Sequence, residues 1–197
     1  VNGDAPARIG PVRVRSLGVA LAALGLVWIF PFIPATRSPN ELCRLWQSRA
    51  LVDFGTVELN QTLMRYGPVG DLSRFDDATG RHYYPSKAPL LSYMAVPAVW
   101  LWEKLRSPDE SGVPGEQGLV WLARLLCTVL PSVLVLFPLR RFLEAYFDES
   151  VAAALLVAQA LGTVSYPYAE LFMSHGLTGI WLFLVFYTLW KHRRGEW

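Results

Sequence analysis

LGVALAALGLVWIFPFI, residues 17–33, decides how the rest of the chain is read. It carries no charge and approaches the ~20 apolar residues that a helix needs to cross a hydrocarbon core of about 30 Å. Lipid offers no partner for bare backbone N–H and C=O groups, so a helix is the spanning form to expect. Runs at 119–139, 151–169 and 171–190 have comparable length, and a fifth at 90–102 is shorter and holds Pro97. Apolar residues make up 53% of the chain and charged residues 17%, with eight Trp and ten Phe. That profile belongs to a multi-spanning membrane protein.

The expected fold class is all-α: a polytopic transmembrane helical bundle with an extracytoplasmic loop containing amphipathic juxtamembrane helices. The first run lacks a small-residue cleavage pattern at its Pro31-Phe32-Ile33-Pro34 end, so it is expected to stay as an anchor. Cys43 and Cys127 are the only cysteines, one in a polar loop and one in an apolar run, which predicts neither a disulfide nor a metal-thiolate site. The net charge of +2 reads as cytoplasmic anchoring, and no aromatic-basic patch points to nucleic acid. No internal repeat is visible.

Arg8, Arg13 and Arg15 place the amino terminus in the cytoplasm by the positive-inside bias. If 90–102 spans, Arg140-Arg141 and Lys191-His192-Arg193-Arg194 both fall outside; if it lies on or dips into the outer leaflet, both stay inside. Charge therefore favours four spans plus one short membrane or interfacial helix. The expected organisation is a cytoplasmic tail at 1–16, a transmembrane helix at 17–34 and an extracytoplasmic loop at 35–87. The short helix follows at 88–105, then a loop at 106–118 with Asp109, Glu110 and Glu116, three transmembrane helices over 119–190, and a basic tail at 191–197. Glu41 and the segment 166–175 then share the outer face of a cell inner or plasma membrane.

Within the outer loop, Ser38-Pro39-Asn40-Glu41 has the form of a helix start. Ser38 can cap, Pro39 suits the first position, and Glu41 can close a capping box. The helix should run to about Asp53, with Gly55 supplying a left-handed stop. Glu41, Arg44 and Ser48 share one face, predicting an amphipathic helix whose polar side meets water. In the plainer account Glu41 only caps and pairs with Arg44 one turn on. Residues 56–63 alternate weakly, and Asp76-Asp77-Ala78-Thr79-Gly80 reads as a turn. Arg81, His82 and Lys87 gather positive or protonatable groups before a new helix expected to open at Ser86 or Lys87. Lys87 there is either a phosphate receptor at headgroup level or a snorkelling anchor. Glu170 and His175 are, tyrosines aside, the only ionisable groups between Glu149 and Lys191. Such groups in or beside a membrane mark a site by default; alternatively Glu170 sits among headgroups and His175 makes one hydrogen bond to a carbonyl.

Taken in order, these stretches resemble the amino-terminal part of a polytopic GT-C class glycosyltransferase, closest to the protein mannosyltransferase and aminoarabinose transferase families 39 and 83. The matching residues are Asn40-Glu41 for an outer-loop acidic pair, 49–55 for the end of the amphipathic helix, and Tyr83-Tyr84-Pro85-Ser86-Lys87-Ala88-Pro89-Leu90 for an aromatic–Lys–Pro segment. Tyr166-Pro167-Tyr168 through Ser174-His175 resembles the next outer loop. The resemblance implies inverting transfer of a sugar from a polyprenyl-phosphate donor to an extracytoplasmic acceptor lipid, glycan or protein. It makes Asn40 and Glu41 the catalytic positions, with Glu41 as general base. Lys87, with Arg81 or Arg44, would hold the phosphate. His82, Tyr84, Glu170 and His175 complete the substrate-binding set, and a divalent metal is compatible but not required. Asn40 stands where the family usually carries Asp, so the base has moved by one residue or is lost. A non-catalytic, lipid-binding subunit that keeps the fold is the alternative, and a transporter fragment a third. The chain ends after five apolar segments where the family continues, so a truncated piece, inactive alone, is expected.

Overall fold

The computed structural model describes residues 11–29, 35–36, 38–105 and 116–196, with the side chains of 11–15, 29 and 116 left out. The expectations for Arg8, Arg13, Arg15, Asp109, Glu110 and the Glu116 side chain lie outside the described residues. The chain is mostly helical. Helix α1 (Pro11–Ile29) leads to α2 (Pro39–Arg49), which continues through a π turn (Ala50–Phe54). Then come α3 (Asn60–Tyr66), strands β1 (Leu72–Asp77) and β2 (Gly80–Pro85), and helices α4 (Leu90–Met94) and α5 (Val96–Leu105). Helices α6 (Glu116–Arg124), α7 (Leu130–Leu134) and α8 (Leu136–Glu144) follow, with a π turn at Leu125–Val129 between the first two. The described part ends with α9 (Glu149–Leu161), α10 (Ser165–Glu170) and α11 (Ser174–Arg193).

The start of α2 behaves as its sequence dictates. Ser38 Oγ accepts the Glu41 N–H at 3.3 Å, Pro39 takes the first turn, and Gly55 closes the π turn at φ +66°. The surrounding packing does not. Residues 43–49 are all buried, so α2 is a central helix and not an amphipathic one floating on a surface. Its polar face is turned into the protein, where Ser48 Oγ donates to the Ser92 carbonyl at 2.8 Å and Arg49 reaches Glu103 at 2.7 Å. The partners that Ser48 and Arg49 find offset the cost of burying them, while Gln47 Oε1 has none among the described residues.

The all-α expectation needs one correction. Residues 72–85 form an antiparallel hairpin, Leu72 opposite Pro85 and Asp77 opposite Gly80. Its two-residue turn, Ala78-Thr79, lies inside the turn read from sequence; Asp77 Oδ1 accepts the Thr79 N–H at 2.7 Å, and Gly80 at φ +137° completes the reversal. The weakly alternating 56–63 contains the start of α3. Residues 90–102 split into α4 and α5, Pro97 near the start of α5, where its missing N–H costs little.

In α6 to α8 the helix runs unbroken from Gln117 to Glu144, and among the described residues it alone is long and apolar enough to cross a membrane. The π turn precedes Pro131, whose ring cannot serve the usual i→i−4 bond. Ser16–Trp28 and Glu149–Leu161 are apolar but shorter, so the expectation of four spans is met by length and composition at one helix. The run 151–169 breaks at Gly162, and α11 begins only at Ser174, leaving residues 171–173 as a connector.

Gly18 lies against Ala153 and Gly25 against Leu161, so α1 and α9 run parallel and nearly touch; an added Cβ at Gly18 would sit 2.9 Å from the Ala153 Cβ. Helix α11 starts beside the π turn at 125–129 and ends beside Tyr146, whose hydroxyl accepts the Trp190 indole N–H at 2.8 Å. It therefore runs parallel to α8. Two apolar cores result: one around α2, α4, α5 and α6, the other joining α1, α8, α9 and α10.

Candidate functional site

Glu41 is placed by the first turn of α2, and its carboxylate crosses to the far half of the chain. Oε1 accepts from Arg124 Nη2 at 2.8 Å and from the Phe172 backbone N–H at 2.8 Å. Both side chains of the ion pair are 0% exposed. Arg124 Nη2 also donates to the Ala35 carbonyl at 3.0 Å. The pair thus ties the segment before α2, the long helix and the connector before α11 into one knot. Glu41's ion pair is made with Arg124, not with Arg44 as the plainer sequence account has it.

Arg124 was missed in the sequence because it sits inside the apolar run 119–139. The available signal was that lone charge itself, since an arginine in such a run is costly and needs a partner.

Arg44 is buried one turn beyond Glu41 and reaches the Asn40 carbonyl at 3.3 Å and Ser174 Oγ at 3.2 Å. Burial holds its pKa below the usual arginine value, while Asp71 first, and Glu41 more weakly, push back. Arg44 thereby stands electrostatically between Glu41 and Asp71. Asp71 is the second group the sequence hid. At φ +65° it occupies the left-handed region that a non-glycine residue rarely takes. Ser86 Oγ donates to its carboxylate at 2.5 Å, Lys87 Nζ lies 3.3 Å away, and Cys43 Sγ donates to its carbonyl at 3.3 Å. The Ser86 hydroxyl is the main reason its carboxyl lies below the ordinary value, with Lys87 and Arg44 adding to the effect.

Lys87 therefore does not open a helix. It lies in a bend before α4, which starts at Leu90, and its ammonium pairs with Asp71 at 3.3 Å while staying partly exposed. Arg81 and His82 are drawn off into the hairpin. Arg81 lies 3.5 Å from Asp76, and His82 bonds Glu58 at 2.9 Å, Thr79 Oγ1 at 2.9 Å and Asp77 at 3.2 Å. Tyr84 sits half-buried on β2 opposite Ser73.

Glu170 ends α10, outside both flanking apolar helices. It is 2% exposed, and among the described residues neither carboxylate oxygen has a hydrogen-bond partner. Burial raises its pKa to about 7, with nearby Arg124 acting in the opposite direction. The Asn40 Oδ1 is likewise buried and has no hydrogen-bond partner among the described residues. His175 is exposed near the start of α11, its ring 5.1 Å from that of Tyr168. It borders a cavity of about 570 Å³ bounded by α1, α8, α9 and α11, apolar along its length and edged by Gln159, Ser165 and Tyr168. Among the described residues no group of three His, Cys, Asp or Glu side chains is placed to hold a metal ion.

Of the residues singled out in the sequence, Glu41 and Glu170 thus meet at Arg124, and Arg44 lies one turn beyond Glu41, bonded to the Asn40 carbonyl and to Ser174. Lys87 joins through Asp71, His175 borders the neighbouring cavity, and Arg81 and His82 belong to the hairpin. Comparison with known proteins gives no match: no family model, no curated protein and no solved structure is similar to this chain.

Proposed function

We propose that this chain is part of a multi-pass membrane glycosyltransferase that moves a sugar from a polyprenyl-phosphate donor to an acceptor on the extracytoplasmic face, with inversion. The observation that carries this reading is that Glu41 and Glu170 meet at Arg124, with Arg44 one turn beyond Glu41 and bonded to Ser174 at the start of α11. Arg124 lies about 17 residues before Arg141 on the long helix, and Ser174 about 17 before Lys191 on α11, each roughly 25 Å at the α-helical rise. A charged cluster and a basic end separated by that distance suit the two faces of a bilayer. Leu17, Leu21, Leu24 and Trp28 on α1, and Leu182, Val185 and Leu189 on α11, are exposed as apolar stripes, which fits lipid contact better than water.

The division of labour differs from the one expected in the sequence. Glu41 is fully committed to Arg124 and Phe172 and acts as a positioning residue. Glu170, with a pKa of about 7 and no hydrogen-bond partner among the described residues, is the better base. It takes the proton of the acceptor hydroxyl as that oxygen bonds to the anomeric carbon. The bond from that carbon to the phosphate oxygen breaks, and the electron pair leaves with the polyprenyl phosphate. Arg44 and Lys87 offset the charge growing on that phosphate. The apolar cavity beside His175, within the roughly 300–1,000 Å³ of ligand sites, would take part of the prenyl chain.

The test is transfer of labelled sugar from a polyprenyl-phosphate donor in proteoliposomes holding the full gene product. Glu170→Gln and Lys87→Ala should each abolish transfer while the protein still inserts; unchanged turnover in both refutes the proposal. Asn40 in place of an acid, and the burial of Glu41 in an ion pair, favour a second reading, a non-catalytic lipid-binding subunit. No sugar release by the wild-type protein, with donor still bound, would select it.

A further inference from the structure

The opposite end of the bundle brings together two basic segments that lie some 50 residues apart in sequence. Because α8 and α11 run parallel, Arg140-Arg141 arrives beside Lys191-His192-Arg193-Arg194. The alignment is fixed by aromatic packing: Phe142 meets Phe186 and Trp190 edge-on at 5.4 Å each, and Tyr187 stacks on Trp190 at 5.5 Å. Between the two helix ends lies a recess of about 520 Å³ bordered by Arg141, Lys191, Arg194, Tyr187 and Trp190, with the carboxylates of Glu144 and Glu196 also on its wall. The two segments hold five cations, Arg140, Arg141, Lys191, Arg193 and Arg194, against the carboxylates of Glu144 and Glu196. Glu144 pairs with Arg140 at 2.8 Å and Glu196 with Arg194 at 2.5 Å. Arg141 makes no ion pair among the described residues and is exposed at the mouth. Asp148 and Glu149, which open α9, do not line the recess.

We infer that this recess is a binding site for the phosphate headgroup of an anionic phospholipid of the inner leaflet. Basic side chains over an aromatic wall, directly below an apolar helix surface, offer charge to the headgroup and apolar contact to the acyl chains of one molecule. Arg194 already stacks on Trp190, its guanidinium carbon 4.8 Å from the ring centroid, which holds the donor fork at the rim. A water-soluble phosphate would gain the charge but not the apolar contact, so the lipid is the occupant assigned. The inference rests on the membrane half of the reading above and is independent of sugar transfer.

The experiment is native mass spectrometry of the full gene product after incubation in equal parts phosphatidylcholine and phosphatidylglycerol. Wild type should retain phosphatidylglycerol in preference. Arg141→Gln, Lys191→Gln and Arg194→Gln, all surface changes, should each reduce the preference about fivefold, near 1 kcal/mol per basic side chain. Arg141→Lys should keep it. Equal retention of both lipids by wild type, or displacement of phosphatidylglycerol by glycerol phosphate at matched concentration, overturns the site while leaving the membrane reading intact. Release of the chain from membranes by alkaline carbonate overturns both.

Discussion

Removing one partner of the Glu41–Arg124 pair should unfold this protein more readily than any surface change. In Arg124→Gln, Glu41 stays buried without its counter-ion. In Glu41→Gln, Arg124 does, although Glu170 nearby can ionise and compensate in part. Breaking a buried pair from one side costs about 3–5 kcal/mol, which for a domain of this size lowers the melting temperature by roughly 6–20 °C. Arg124→Gln should be the worse of the two singles. The double variant Glu41→Gln/Arg124→Gln removes both charges and keeps an acceptor for the Phe172 N–H, so it should cost well under the sum of the singles. Thermal unfolding in detergent, followed by intrinsic tryptophan fluorescence, measures all three. A shift below about 2 °C in either single, or a double equal to the sum, would refute the claim that this pair locks the halves of the chain together.

Three further expectations follow from particular contacts. Glu170 ionises in the folded state only near pH 7, against an ordinary carboxylate value of 4.5, so the folded protein holds the extra proton between those values and loses stability as pH rises through them. Glu170→Gln should flatten that part of the melting temperature–pH curve. His82 is raised above its ordinary value, chiefly by its bond to Glu58 and then by Asp77. The clamp on the hairpin is thus complete below about pH 6.5 and lost as pH rises through the elevated value; amide protection factors over residues 72–85 should fall as pH rises above about 6.5 in wild type but not in His82→Asn. Gly18→Ala should loosen α1 from α9 by about 1–3 kcal/mol through the clash with Ala153, and Ala153→Gly should restore most of it, read by unfolding in mixed micelles.

Local rules dictated much of this molecule. The Ser38-Pro39 start of α2, its left-handed stop at Gly55, the turn around Ala78-Thr79 and the apolar character of 117–144 all depend on neighbours within a few residues. The spacing of backbone groups and side chains along the chain is enough to read them. Partnership was decided elsewhere. Glu41 could have closed a capping box or met Arg44 by spacing alone, and only the arrival of Arg124 and Phe172 from the far half of the chain selected its ion pair. The same long-range packing buried the polar face of α2, aimed Lys87 at Asp71 and left Glu170 without a hydrogen-bond partner among the described residues. Such outcomes depend on which elements meet in space, a sum of burial and charge terms over distant residues that no local pattern carries.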